Sequence, residues 1–422
     1  MENNNEVLLK VDHLCQYFRL GHKDLKAVDD VSFEIKRGEA FGLVGESGCG
    51  KTTTGRSIIK LYDITSGNVY FKGQRVGAGT RSYKDAITNA RAEASQKIKS
   101  LRAEKGADEN RKAAIKAEIK QINSNLNEVI KENREQIRSA KTNDREVNKQ
   151  HVASALEALK KEYDAKFNDA EARDDKAALA ALKKEYKNKC RVAKKSKLIT
   201  QIQMIFQDPI ASLDPRMTVR EIIAEGLVIN GVTDKDYINE KVYEILEMVG
   251  LVREHADRYP HEFSGGQRQR IGIARAIIMQ PEMIIADEPI SALDVSIQAQ
   301  VINLLNDLRE RLGLTVMFIA HDLSVVKYFS DRIGVMYFGN MVELADSDEL
   351  FKNPLHPYTR SLLSAIPLPD PVYEKQRTRV TYNPLAEHDY SVDAPTFREI
   401  KPGHFVRCND AEEAKYKQML KD

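Results

Sequence analysis

The chain has 422 residues and 42% apolar side chains, enough for two to three domains and at least one sizeable core. It lacks the roughly 20 uncharged apolar residues of a membrane-spanning helix, and its start lacks the regions of a signal peptide, so we expect it to stay in the cytoplasm. Its scattered cysteines, Cys15, Cys49, Cys190 and Cys408, argue against a zinc site or disulfide framework and are interpreted as reduced thiols.

The net charge of +2 hides a strong segregation of charge along the chain. Residues 81–200 carry 30 Lys/Arg against 19 Asp/Glu, a net of +11, and the remainder carries 35 against 44, a net of −9. The chain therefore combines an acidic majority with one basic segment.

Residues 6–80 alternate short β-rich runs with turns, at 7–11, 40–44 and 68–71. The apolar run before Gly45 predicts a buried strand that leads into a glycine-rich loop and a helix. This order is typical of a parallel α/β unit, and it indicates the first part of a nucleotide-binding core.

Residues 81–200 contain no proline and one glycine, Gly106, and they are rich in helix-forming residues. Apolar residues recur in helical steps over 115–137 and again over 152–186, separated by a polar break at 141–144. We predict an antiparallel, coiled-coil-like helical hairpin that reverses at this break. Two interpretations stay open: a solvated inserted arm, or a docking arm for anionic lipid or nucleic acid, since residues 183–197 are strongly basic.

Alternation of strands and helices returns over 201–345, with buried-strand candidates at 283–286 and 316–319. The remaining residues, 346–422, are rich in proline, tyrosine and charge. We interpret them as a small C-terminal accessory region.

The glycine-rich loop fits the pattern Gly-x-x-x-x-Gly-Lys-[Ser/Thr] between a predicted strand and a predicted helix. Its glycines let backbone N–H groups surround phosphates at a helix N-terminus, Lys51 adds a positive charge, and the Thr52 hydroxyl can bind Mg²⁺. The candidate phosphate-binding residues are Gly45, Glu46, Ser47, Gly48, Cys49, Gly50, Lys51, Thr52 and Thr53.

The apolar run 283–286 ends in Asp287 and Glu288, the carboxylates that a magnesium site beside such a loop requires. Asp287 is predicted to hold Mg²⁺ and Glu288 to polarise the attacking water. A second anion-binding helix start is predicted downstream, at Ser264, Gly265, Gly266 and Gln267. One nucleotide does not need two cradles, so the second one makes sense if it closes over ATP bound to a partner subunit.

These motifs, followed by the segment Ser291-Ala292-Leu293-Asp294, resemble in their order the ABC-type ATPases over residues 6–77 and 200–345. The resemblance implies an α/β nucleotide-binding domain with a helical signature subdomain. It also implies that Phe18, or else Tyr17, stacks on adenine and that Asp294 communicates between subunits. By the same resemblance, Gln207 senses Mg²⁺ and the transport subunit, and His321 contacts the γ-phosphate.

The segments 204–217, 293–301 and 356–363 resemble oligopeptide and dipeptide importers, and 401–406 is similar to the end of their F-side ATPase. The resemblance implies a motor subunit at the cytoplasmic face of the membrane. Its expected partners are a D-side ATPase, two permease subunits and an external peptide-binding protein, with no nucleic acid. Only Cys408 remains of the cysteines that bind an iron–sulfur cluster in some relatives, so none is expected.

The sequence leaves the transported substrate open, but it argues against two classes of ABC ATPase that act outside transport. Dipeptide and nickel importers share nearly all these residues, so the substrate stays open. ABC ATPases that act on DNA place a longer coiled coil after the segment that corresponds to Gln207, called the glutamine loop. In this chain the insertion precedes Gln207. ABC factors that act on ribosomes carry two nucleotide-binding cores, whereas this chain has one glycine-rich phosphate-binding loop.

Overall fold

The computed structural model describes residues 6–21, 23–103, 109–173, 175–291, 293–366 and 380–420. Its strands form two sheets. The smaller sheet is antiparallel, in the order β2-β1-β4-β5, and consists of β1 (Val7–Leu20), β2 (Lys23–Lys36), β4 (Ser66–Phe71) and β5 (Gln74–Ala78).

The larger sheet has eight strands in the order β11-β12-β10-β9-β3-β8-β7-β6. Five neighbouring strands, from β9 to β6, are parallel, and the other three join antiparallel. The three central strands are buried at every residue, which explains their unbroken apolar runs. The strands are β3 (Ala40–Val44), β6 (Ile202–Ile205), β7 (Met283–Asp287), β8 (Thr315–Ala320), β9 (Arg332–Tyr337), β10 (Asn340–Asp346), β11 (Thr396–Lys401) and β12 (His404–Cys408).

Helices cover the larger sheet, and side chains cap the N-terminal ends of several of them. Thr218 and Glu221 form a capping box, and Asp234 accepts a hydrogen bond from the backbone of Tyr237. The helices of this layer are α1 (Lys51–Ile58), α5 (Pro209–Ser212), α6 (Val219–Ile229), α7 (Lys235–Met248), α8 (Gly265–Ile277), α9 (Val295–Leu312), α10 (Leu323–Phe329), α11 (Ser347–Lys352) and α12 (Pro357–Ser364).

The insertion is helical, as its composition predicts, but the predicted reversal at 141–144 is wrong. It consists of α2 (Arg81–Ala103), α3 (Glu109–Ala172) and α4 (Lys176–Lys195), and α3 runs unbroken for 64 residues, about 96 Å. The polar break contains no glycine or proline, so nothing interrupts the helical backbone there. α3 packs against both α2 and α4, and Tyr163 of its second apolar stripe contacts Tyr186 of α4.

The middle of α3 attaches the insertion to the core formed around the two sheets. Val147 belongs to the core cluster that includes Leu198 and Ile202, and the Asn148 side chain accepts a hydrogen bond of 3.0 Å from the Leu198 N–H. Beyond this point, the buried Tyr163 ring contacts Tyr186 of α4, with ring centroids 5.2 Å apart. The insertion is therefore a packed extension of the core at its centre.

Some basic side chains at the end of the insertion contact other residues of the same chain. The Lys184 ammonium lies 3.1 Å from Asp234, and the Asn188 amide donates to the same carboxylate. The Arg191 guanidinium donates to Thr233 at 3.2 Å. These contacts join α4 to the connection between α6 and α7. Among the described residues, no helix is both long enough and apolar enough to cross a membrane.

The C-terminal region extends the central sheet, because β12 pairs with β10. The buried Glu343 of β10 accepts hydrogen bonds from the N–H groups of Leu355 (2.8 Å) and His356 (3.0 Å), and it lies 2.8 Å from His404 Nε2. The region ends in α13 (Pro384–Glu387), the β11–β12 hairpin and α14 (Asp410–Met419). One buried carboxylate thus holds the start of α12 and β12 together.

We expect His356 to make stability depend on pH. Burial lowers the pKa of His356 to about 3, whereas an unfolded histidine titrates near 6.5. Between these values the unfolded chain binds more protons, so the free energy of unfolding falls as pH decreases below about 6.5. From pH 7 to pH 5 this histidine alone should cost about 2 kcal/mol.

The variant His356→Asn isolates this effect, because asparagine also caps helices but does not titrate. Urea unfolding at pH 7, 6 and 5 should give a shallower loss of stability in the variant than in the parent chain. Parallel pH profiles for the two proteins would contradict the prediction.

Candidate functional site

At three positions, the loop that follows β3 has a backbone conformation that only glycine adopts easily. Gly45, Gly48 and Gly50 have φ angles of 155°, 83° and 108°. A Cβ at Gly45 would lie 2.2 Å from the Met336 carbonyl oxygen, and one at Gly50 would lie 2.2 Å from that of Ala27. Gly50 precedes α1 without a side-chain cap, so the first N–H groups of this helix are available to an anionic ligand.

Lys51 is the first residue of α1, and its side chain lies inside the loop. Only 4% of the residue is exposed, and its ammonium donates to the carbonyl oxygens of Gly45 (2.6 Å) and Glu46 (2.9 Å). A buried positive charge thus lies against the backbone that has to surround a phosphate.

Thr52 and Asp287 connect the loop to the end of β7. The Thr52 hydroxyl donates to Asp287 Oδ1 at 2.6 Å. Asp287 is fully buried, its Oδ2 has no hydrogen-bond partner among the described residues, and Arg56 approaches that oxygen to only 3.9 Å. Burial raises the pKa of Asp287 above its usual range. An unpartnered carboxylate oxygen beside a hydroxyl fits a hard divalent cation such as Mg²⁺.

Glu288 lies at the centre of a cluster formed by three strand ends. Its carboxylate accepts a hydrogen bond of 2.8 Å from the Gln207 amide, and His321 Nδ1 lies 3.4 Å from the same oxygen. Gln207 follows β6, Glu288 follows β7 and His321 follows β8. Because the carboxyl ends of parallel strands meet at one edge of a sheet, residues far apart in sequence lie together.

The second anion-binding end lies on a different element. The Ser264 hydroxyl accepts from the Gln267 N–H at 3.3 Å, and Gln267 Oε1 accepts from the Ser264 N–H at 3.0 Å. A Cβ at Gly266 would meet Ile297 of α9, the helix that Asp294 precedes. Ala292 lies outside the described residues. None of the described hydrogen bonds joins Ser264–Gln267 to the loop around Lys51, so the described hydrogen-bond networks of the two helix starts are separate.

The two aromatic candidates for adenine stacking differ in their contacts. The Tyr17 hydroxyl donates to Asp29 at 2.5 Å, and Lys26 lies 5.4 Å from the centre of its ring. Phe18 is half-buried and meets Tyr62 edge to face at 5.2 Å. Each ring is thus held by a neighbour, and both residues stay candidates for adenine stacking.

Two residues near the site were not identified from the sequence. The Tyr358 hydroxyl accepts a hydrogen bond of 3.0 Å from the N–H of Glu46, from a position 312 residues away. Arg275 donates to the Ser212 carbonyl at 2.6 Å and lies over the Phe206 ring, next to Gln207. The segment that contains Tyr358 stood out only by resemblance, and no local pattern connects it to the glycine-rich loop.

Comparisons with known proteins identify the family of this chain. The ABC transporter family model matches residues 28–173 and 176–291, and the model for the C-terminal region of oligopeptide/dipeptide transporters matches residues 342–392. The oligopeptide transport ATP-binding protein OppF of Bacillus subtilis (strain 168) is 46% identical over 409 residues, covering 96% of this chain and 98% of that protein.

Two further relatives match over nearly their whole length. AmiF, an oligopeptide transport ATP-binding protein of Streptococcus pneumoniae, is 40% identical over 417 residues, covering 99% of each chain. DppF, a dipeptide transport ATP-binding protein of Lactococcus lactis subsp. cremoris, is 40% identical over 415 residues, covering 97% of each. Among solved structures, the bacterial ABC transporter cassette MJ0796 is similar with a TM-score of 0.48 and 21% identity, covering 81% of this chain and 99% of that one.

The fold and the ordered motifs define an ABC-type ATPase. The chain belongs to the ABC transporter family, within the branch of oligopeptide and dipeptide transport ATP-binding proteins. The predicted fold class and the predicted resemblance to F-side subunits are thereby confirmed.

We expect Asp287→Asn to separate stability from cation binding. Because burial raises the pKa of Asp287, its ionised form destabilises the fold above that pKa, and the uncharged amide should raise Tm at pH 7 by roughly 2–4 °C without Mg²⁺. The extra stabilisation by Mg²⁺ and ATP over ATP alone should be lost.

Differential scanning calorimetry at pH 7, with and without Mg²⁺, measures both effects. Asp307→Asn, which removes an exposed carboxylate from α9, is the matched control and should change neither. A lower Tm for Asp287→Asn without Mg²⁺ would contradict the assigned cost of burying this charge.

Proposed function

We propose that this chain is the ATP-hydrolysing motor subunit of an importer of oligopeptides, bound peripherally at the cytoplasmic face of the membrane. The observation that carries the proposal is one edge of the sheet, where Thr52 of α1 binds Asp287 and the next residue, Glu288, contacts Gln207 and His321. The match of the C-terminal region to oligopeptide and dipeptide transporters supports the transport role.

The phosphates of ATP bind to the N–H groups of the loop from Gly45 to Thr53 and to the Lys51 ammonium. The Thr52 hydroxyl, Asp287 and Gln207 would hold Mg²⁺, which when bound would neutralise charge on the outer phosphates. Two observations support this assignment: the unpartnered oxygen of Asp287 and the uncapped start of α1.

Glu288 orients the attacking water and accepts its proton, in a cluster where Gln207 fixes the carboxylate and His321 reaches the γ-phosphate. The hydrogen bond of 2.8 Å from Gln207 holds Glu288 in place before water arrives. The insertion leads into β6, the strand that precedes Gln207. Because Gln207 binds Glu288, a movement of the segment around Gln207 changes the position of the catalytic carboxylate. This contact gives a physical route between transport and hydrolysis.

The separate position of Ser264–Gln267 supports a head-to-tail pair of ATPase subunits. Each ATP lies between the Lys51 loop of one chain and the Ser264 helix start of the other, with Asp294 at the boundary. The expected partners are a D-side ATPase, two transmembrane permease subunits and an extracytoplasmic peptide-binding protein. The names of the relatives support an oligopeptide transporter, and one relative supports dipeptides as the alternative substrate.

We expect Glu288→Gln to reduce ATP hydrolysis by about a hundredfold or more, because glutamine cannot accept the proton of the attacking water. ATP binding and the closed dimer should persist, since the phosphate-binding groups are unchanged. Phosphate release and size-exclusion chromatography with ATP measure the two properties. Glu254→Gln, an exposed site remote from the cluster, is the control, and hydrolysis at the parent rate in Glu288→Gln would contradict the assignment.

The substrate class is tested by uptake into cells that make the chain together with its permeases and binding protein. Labelled pentapeptide should accumulate, and the Glu288→Gln variant should abolish that accumulation because it removes the energy source. Labelled dipeptide and Ni²⁺ are compared in the same cells. Uptake restricted to dipeptide or to Ni²⁺ would replace oligopeptides as the substrate while leaving the ATPase assignment intact.

A further inference from the structure

We propose that Tyr358 is a positioning residue of the nucleotide site, whose hydroxyl fixes the start of the phosphate-binding loop. The C-terminal region then forms a structural part of that site. This inference rests on the proposed role of residues 45–53 as the phosphate cradle.

The contact lies at the point where the loop leaves β3. The Tyr358 hydroxyl accepts the N–H of Glu46 at 3.0 Å, and only 1% of Tyr358 is exposed. The Lys51 ammonium binds the carbonyl oxygens of Gly45 and Glu46. The start of the loop is thus held from two sides. Tyr358 binds its N–H group at Glu46, and Lys51 binds its carbonyl oxygens at Gly45 and Glu46.

The tyrosine hydroxyl has little freedom to move. Its ring packs against Tyr337 and Tyr382, with centroids 4.4 Å and 5.5 Å away. The backbone N–H of Tyr358 donates to His356 Nδ1 at 3.1 Å, which caps α12 at its first turn. Because ring and backbone are both fixed, the hydroxyl acts as a rigid acceptor for the loop.

A continuous set of buried hydrogen bonds extends from this acceptor to the last strands. Glu343 accepts from the N–H groups of Leu355 and His356, and His404 of β12 lies 2.8 Å from the same carboxylate. The C-terminal hairpin therefore reaches the phosphate-binding loop through α12. A group held this way before ligand binding lowers the conformational cost of forming the cradle.

Tyr358 contacts the loop backbone and no reacting group, so its effect should fall on binding. Nucleotide ground state and transition state use the same loop conformation, and loss of the acceptor weakens both equally. The expected signature is a higher KM for ATP with kcat within about twofold of the parent value. ADP should lose affinity to the same extent, since it also carries the phosphates nearest the loop.

The test compares Tyr358→Phe with Tyr382→Phe, which removes a hydroxyl from the same aromatic cluster without touching the loop. Loss of a buried acceptor should raise the ADP Kd and the KM for ATP roughly five- to tenfold in Tyr358→Phe. Tyr382→Phe should leave both within about twofold. Equal ADP affinity in the two variants, or a fall in kcat at unchanged KM, would overturn the proposal.

Two further measurements keep the test decisive. Hydrogen exchange in the parent chain without nucleotide should show a protected Glu46 amide, and rapid exchange there would overturn the proposal even if Tyr358→Phe fails to fold. Lys51→Ala serves as the reference for the cradle itself. Normal ADP affinity in Lys51→Ala would reject the proposed phosphate site, whereas weak binding in Lys51→Ala with normal binding in Tyr358→Phe would reject only the role of Tyr358.

Discussion

The hydrogen bond between Thr52 and the buried Asp287 is the interaction on which the rest of the site depends. It joins the helix after β3 to the end of β7, and it leaves one oxygen of a fully buried carboxylate without a partner. Such a carboxylate is costly in an apolar interior unless a cation compensates it. The strand order β3-β8-β7-β6 serves this requirement, because four adjacent strands bring the loop, His321, the acidic pair and Gln207 to one edge.

The two additions to the ATPase core are integrated to different degrees. The C-terminal region pairs into the central sheet, shares the buried Glu343 with α12, and reaches the loop through Tyr358. The insertion is attached at the middle of α3 and through polar contacts between α4 and the residues around Asp234. Of these contacts, the one made by Tyr358 reaches the glycine-rich loop itself, so the C-terminal region has the closer link to that loop.

The separation of the two helix starts within one chain has a consequence for assembly. Ser264 caps α8 with its own side chain, and the glycines that follow it lie beside Leu293 and Ile297 at the start of α9. Under the proposed function, this second helix start is used by a nucleotide that is shared between two subunits.

Local sequence determined the elements whose chemistry is short in range. The glycine-rich loop, the buried strands that precede Gly45 and Asp287, and the helical character of residues 81–200 follow from residue spacing and propensity, and the structure agrees with them. The reversal predicted at 141–144 failed because polarity without glycine or proline does not end a helix. Only the tertiary structure decided that the middle of α3 packs against the core and that the Tyr358 hydroxyl accepts a hydrogen bond from the Glu46 N–H. Both depend on contacts between distant segments, and those are set by how the strands and helices pack together, which no local pattern encodes.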